Sequence, residues 1–392
     1  MRTFHCEHCG NPVYFENTRC TTCRHELGVV PEVLRVSALR PNADGTWRAL
    51  TRLAGDRRYR KCENYHVHDV CNWLVTADSD EPFCIACRLN HTIPNLGRPG
   101  FHDRWYRLER SKRRLVYSLM KLGLPLHGKQ HDPERGLAFS FLSHADATPG
   151  NPVVTGHANG HITIDIDEAD PALRERTRVD MQETYRTLLG HFRHEAGHYY
   201  WDLLIDGGPA LDAFRDLFGD ERLDYGESLD TYYREGARPN WQQAFISRYA
   251  SSHPWEDWAE TWAHYLHIVD TLETAGHYGV RTERRTDTGL VQRTVSDFDA
   301  YRVERFSDIV DNWIPLTQAL NSLNRSMGLP DLYPFVLPSP AIDKLAFVHQ
   351  LLRDHRQFDL GYDTELDRDV PPTSSHSWWR HLGRLFGRLR PA

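Results

Sequence analysis

All eight cysteines of this chain lie between Cys6 and Cys87, although the chain runs to 392 residues. They form two clusters, Cys6-x2-Cys9-x10-Cys20-x2-Cys23 and Cys62-x8-Cys71-x12-Cys84-x2-Cys87. A Cys-x-x-Cys turn presents two thiolates to one ion, and zinc takes four such soft ligands in a tetrahedron. The first cluster, with two of these turns, reads as a closed structural zinc site. The second has a single turn, and His66, His68 and His91 stand close enough to replace one thiol. The opening MRTFHCEHCG is not an apolar signal segment, so clustered cysteines read as metal ligands rather than disulfides. Residues 1–95 are therefore expected to be a β-rich double zinc ribbon. No dense Lys/Arg run accompanies the thiols, so stabilising a small fold or docking on protein is expected of it and nucleic acid is not.

The remainder reads as a mixed domain. Forty-seven basic against 54 acidic residues give a net charge of −7, which excludes a surface wholly devoted to nucleic acid. No stretch approaches the roughly 18 apolar residues of a membrane span, and a soluble, cytoplasmic protein is expected. Residues 96–358 begin with a helix over Trp105 to Leu122. The runs Leu137–Leu142 and His161–Ile166 alternate at period two, as strands do. Asn159-Gly160 is a turn signal that makes Val153 to Ile166 a hairpin. Asp170-Pro171 is a capped helix start, and apolar residues then recur at helical spacing until Gly207-Gly208. Further helices are expected over 254–275, 299–325 and 339–355, making the chain α+β.

Within that helical run stands His194-Glu195-Ala196-Gly197-His198. Residues four apart share a helix face, so His194 and His198 can reach one zinc ion. Glu195, offset by one, sits where a general base for the zinc-bound water is needed. His191 shares the face and reads as a neighbour of the site. A catalytic zinc keeps three protein ligands and one open position. The third-ligand candidates are Glu256 and Glu260, four apart on a helix from Pro254, with Asp257 turned away. Spacing alone leaves open which of the two binds.

The segment Glu256-Asp-Trp-Ala-Glu260 resembles the second helix of gluzincin-type zinc peptidases. There a ligand Glu is followed four residues on by an acid that hydrogen-bonds a ligand histidine. Here Glu rather than Asp fills the second place, as it does in the anthrax lethal factor group. The resemblance implies Glu256 as the third ligand and Glu260 as the partner of His194. It also implies Tyr249, seven residues before Glu256, as an oxyanion donor; an ordinary core aromatic is the other reading. With the N-terminal ribbons and Cys84-x-x-Cys87-Arg-Leu-Asn, the chain resembles a bacterial family of zinc-binding metallopeptidases. That implies a zincin-like, mainly helical domain with a small β-sheet, three zinc ions (one catalytic, two structural), and a peptide or protein substrate.

Three readings stay open. The chain is a zinc peptidase; or it hydrolyses non-peptide amides; or its ribbons bind protein or nucleic acid around a non-catalytic zinc site. The strand His161–Ile166 is either a sheet edge that binds an extended peptide or a plain core strand. Residues 359–392 form a basic tail, in which Trp378, Leu382, Leu385 and Leu389 fall near helical spacing. Such a tail can lie on a membrane surface or dock on a partner; a flexible tail, or one packed on its own domain, is the other reading.

Overall fold

The structure is a computed structural model that describes residues 2–144, 153, 155–181, 183–285, 287–289, 291–294 and 298–356. The basic tail and Val154 of the expected hairpin lie outside the described residues. The amino-terminal part is β-rich. β1 (Phe4–His5) and β2 (Pro12–Val13) pair as a small ribbon around the first cysteine cluster. β3 (Leu27–Val30), β4 (Arg35–Pro41), β5 (Trp47–Ala49), β6 (Arg58–Lys61) and β7 (Leu74–Thr76) form an antiparallel meander in sequence order. A single turn of helix, α1 (Glu63–His66), starts at Cys62 and connects β6 to β7.

The carboxy-terminal part is helical around one small sheet. β8 (Asn90–Thr92), β9 (Ala138–Leu142), β10 (Gly156–Ala158) and β11 (His161–Asp165) lie in the order β10-β11-β9-β8. β9 runs parallel to both β11 and β8, while β10 and β11 form the antiparallel hairpin expected at Asn159-Gly160. β11 is thus an interior strand, which overturns its reading as the peptide-binding edge. Both of its flanks are occupied, and Ile162, Ile164 and Ile166 are fully buried. Among the described residues the edge beside the helices is β10. β8 comes from the cysteine-bearing segment, so the ribbon part contributes a strand to this sheet.

The helices are α2 (Phe101–Lys121), α3 (Pro171–Asp180), α4 (Leu188–Leu204), α5 (Leu211–Phe218), α6 (Tyr225–Glu235), α7 (Pro254–His277), α8 (Phe306–Ser326) and α9 (Ser339–Asp354). The helix expected to run from Asp170 to Gly207 is two helices. Asp170 caps α3 through the N–H groups of Ala172 and Leu173, but α3 buries none of its residues and has no packed face to extend it. Thr187 then caps a new helix by accepting from Gly190 N at 3.0 Å. α8 begins at Phe306 rather than 299, because Asp299 turns back to accept from Tyr301 N at 2.9 Å. Among the described residues, no helix is long and apolar enough to cross a membrane.

α7 runs through the centre of this part. Trp258, Ala259, Trp262, Leu266 and Val269 are fully buried. The helix also buries acids. Asp257 does turn away from the expected site, and its Oδ2 lies 2.6 Å from Lys344 Nζ on α9. The Asp257 and Lys344 side chains are 0% and 6% exposed. An ion pair this deep leaves a costly bare charge when one partner is removed. Lys344→Met is expected to cost about 3–5 kcal/mol, read as a fall in the thermal unfolding midpoint. A cost under about 1 kcal/mol, as for an exposed pair, would contradict this account of the α7–α9 contact.

Candidate metal centre

Two helices build the site by the same spacing rule: α4 offers His194 and His198, and α7 offers Glu256 and Glu260. They meet closely because Gly197 has no side chain. A Cβ there would lie 3.0 Å from Ala259 Cα and 3.2 Å from Trp262 Cδ1. Trp258 Nε1 donates to the Gly197 carbonyl oxygen at 2.8 Å and ties the crossing together.

The crossing gathers His194, His198 and Glu256, whose ligand atoms all lie within 4.8 Å of one another. His194 Nε2 and His198 Nε2 are 3.2 Å apart. Glu256 Oε2 is 3.0 Å from His194 Nε2, and Glu256 Oε1 is 3.6 Å from His198 Nε2. Zinc bonds of about 2.0–2.1 Å to nitrogen and oxygen place tetrahedral ligand atoms about 3.3 Å apart, so the donor set fits this ion. Glu256 Oε2 is buried and outside hydrogen-bond geometry with every neighbour. A protein interior leaves such an acceptor bare only for a reason, and a cation between the three donors supplies one. Despite burial, the two imidazoles hold the Glu256 carboxyl well below the usual carboxylate range. Despite its own burial, His194 is held well above the usual imidazole value by Glu256 and Glu260.

Glu260 stands outside the cluster. Its Oε1 lies 2.8 Å from His194 Nδ1, and Ser247 Oγ donates to its Oε2 at 2.6 Å. Glu195 is nearly buried, and desolvation pushes its carboxyl up while His194 and His198 pull it back. His194, Glu195, Glu260 and Tyr249 line one cavity of about 490 Å³, with Phe335 and Tyr185 in its wall. The Tyr249 ring is 5.9 Å from that of His194, and burial raises its phenol well above the usual value. His191 lies 3.4 Å from Glu168 Oε2 and does not join the three-residue cluster.

Three neighbours escaped the sequence reading. The Tyr225 hydroxyl, on α6, donates to Glu256 Oε1 at 2.6 Å. Trp255 packs against His198 with ring centroids 4.3 Å apart. His157 on β10 stacks on His198 at 6.3 Å, and burial lowers its pKa to about 3, so it faces the site neutral. α6 itself carried a legible signal: Asp224 caps it by accepting from Glu227 N, and Gly236 ends it.

The thiols form two further groups, Cys6/Cys9/Cys20/Cys23 and Cys62/Cys71/Cys84/Cys87. Cys6–Cys23, Cys9–Cys20 and Cys71–Cys84 have Sγ atoms 3.5, 3.6 and 3.8 Å apart. Zn–S bonds of about 2.3 Å imply an edge of about 3.8 Å, so both groups fit zinc. The second is complete with its own four thiols, and His66, His68 and His91 take no place in it. Burial pushes the Cys6 thiol up to about 12, while at Cys20 burial is opposed by the backbone N–H groups of Cys23 and Thr22 together with the Cys23 and Cys9 thiols, which bring it down to about 7.

Residues 101–351 match the family described as "Putative zinc-binding metallo-peptidase", and residues 3–98 match a zinc-ribbon domain. The chain belongs to this metallopeptidase family. Uncharacterised proteins of Mycobacterium tuberculosis and Mycobacterium bovis are 42% identical to it over 353 residues, covering 90% of this chain and 95% of theirs. No solved structure matches it significantly. For this family member, the zinc-binding description agrees with two four-cysteine groups and one His/His/Glu group.

The closeness of the α4–α7 crossing is testable at Gly197. Alanine is a better helix former, so the fold should persist, but its methyl group must push Ala259 away. Overpacking of about 1–3 kcal/mol corresponds to a roughly 5- to 150-fold loss of zinc affinity at the His/His/Glu group, with the ribbon sites unaffected. Chelator competition on Gly197→Ala measures this. Wild-type affinity would show that the ligands do not depend on the close contact.

Proposed function

We propose that the chain is a zinc-dependent peptidase of the gluzincin type, with His194, His198 and Glu256 as ligands of its catalytic ion. The observation that carries this reading is that a general-base candidate, Glu195, lines a sizeable cavity together with His194 of the His/His/Glu donor set. A purely structural metal site has no use for that carboxylate. Zinc, when bound, supplies a Lewis acid and lowers the pKa of water toward neutrality.

The chain's own residues do the rest. Glu195 accepts a proton from water and returns it to the departing amine. Glu260 fixes the tautomer and ring orientation of His194, leaving Nε2 as the donor atom. Tyr249 hydrogen-bonds the carbonyl oxygen as negative charge develops on it. An extended peptide would pair with β10, so backbone bonds supply affinity and the cavity supplies side-chain selectivity. Eight free cysteines suit a reducing compartment, and the reading assigns the protein to the cytoplasm. The two ribbons hold one structural zinc each and offer a surface for a protein partner.

Metal content tests the ligand set. Elemental analysis should give three zinc ions per chain, falling to two in Glu256→Ala. Glu260→Ala should keep the third ion with affinity reduced about 10- to 100-fold. If Glu260→Ala empties the site and Glu256→Ala does not, the two roles are exchanged.

Catalysis is tested by profiling a peptide library. Glu195→Gln should retain all its zinc and lose about 10²- to 10⁴-fold in turnover. Tyr249→Phe should likewise keep zinc and lose about 10²- to 10³-fold. Cleavage by Glu195→Gln at the wild-type rate would replace the peptidase by a binding protein whose third zinc is not catalytic.

A further inference from the structure

α6 projects from the helical part and buries none of its residues. Gly219 and Gly236 bracket the segment that carries it, with φ of 102° and 84°, a region that favours glycine. Its first residue, Tyr225, reaches inward. The ring lies 5.3 Å from His253 and 5.8 Å from Trp255, and the hydroxyl donates to Glu256 Oε1 at 2.6 Å. That separation is in the range of a charge-assisted O–H···O⁻ bond. Tyr225 is 39% exposed, whereas Glu256 is 1% exposed, so a surface residue has been recruited to a buried carboxylate.

The two oxygens of Glu256 therefore differ. Oε1 has a phenol donor, while Oε2 is buried, has no hydrogen bond, and lies 3.0 Å from His194 Nε2. A carboxylate can bind a metal through one oxygen or both. Oε1 lies 3.6 Å from His198 Nε2, and occupying it with the phenol donor leaves Oε2, beside His194, as the metal-facing oxygen and keeps the remaining position open. We propose that Tyr225 is a positioning residue: its hydroxyl holds Glu256 so that Oε2 alone meets the metal. This rests on the assignment of Glu256 as a ligand. It makes the stance of α6 a determinant of the metal site, although α6 supplies no ligand.

Tyr225→Phe keeps the ring contacts and removes only the hydroxyl, so folding is not at risk. Zinc affinity at the His/His/Glu group, measured on the full-length loaded protein by chelator competition, should fall about 10- to 100-fold. The ribbon sites should not change. Arg234→Ala, at the far end of the same helix, should leave all three affinities unaltered. Wild-type zinc affinity in Tyr225→Phe overturns the proposal. So does wild-type affinity with lost cleavage, which would make the phenol a substrate contact. Glu256→Ala retaining its third zinc removes the ligand assignment beneath the proposal. Glu195→Gln retaining turnover removes only the peptidase reading, because the Tyr225 result is read on zinc alone.

Discussion

The approach of α4 and α7 at Gly197 is the contact on which the rest of the site depends. Each helix contributes a pair of residues four apart, so each pair is rigid within its own helix. The geometry between pairs is set by one variable, the distance and angle of the crossing. Small residues close it at Gly197 and Ala259, and large flat ones brace it from the sides. Trp258 bonds the Gly197 carbonyl, and Tyr200 stacks on Trp262 with centroids 4.9 Å apart. The interior of a protein is packed too densely to absorb an extra methyl group there without moving something.

Charge determines what else may surround α7. This largely buried helix carries Glu256, Asp257, Glu260, Asp270 and Glu273. Burying an acid is tolerable only with a partner. His194 serves Glu256 and Glu260, Lys344 serves Asp257, Arg193 serves Asp270 at 2.5 Å, and Lys121 serves Glu273 at 2.6 Å. These partners come from α4, α9 and α2. Such pairs add little net stability against hydrophobic substitutes, but each specifies which helix must lie against which turn of α7. The helix that carries the candidate ligand is thereby held by three neighbours.

The ribbons are joined to this arrangement through α2. Arg113 is fully buried, donates to the Val70 carbonyl, and is drawn electrostatically to Cys71. Glu109 accepts from Trp105 Nε1 at 3.1 Å and from Asn90 Nδ2 at 2.6 Å, with the Cys87 thiol 3.8 Å from its other oxygen. Four thiolates around a divalent ion carry net negative charge, and a buried guanidinium beside them offsets it. Cys6, Cys20, Cys62, Cys71, Cys84 and Cys87, Leu89 just before β8, and the helical core belong to one continuous apolar cluster. The ribbons are therefore built into the same body as the helices they precede.

Spacing within a single element was legible from the chain alone. Two Cys-x-x-Cys turns, His194 with His198, Glu256 with Glu260, the Asn159-Gly160 hairpin and the Asp170-Pro171 helix start depend on backbone periodicity and local hydrogen bonds. So does the outward turn of Asp257. Relations between elements were not legible. That β11 is interior, that the expected long helix is divided into α3 and α4, and that all four thiols of the second cluster converge are settled by packing partners distant in sequence. Tyr225 stands 31 residues from the carboxylate it holds, on a helix with no buried face. Local periodicity determines which side chains share a face. Only the tertiary structure decides which faces meet, because that depends on the volume removed at Gly197 and on the cations that buried acids require.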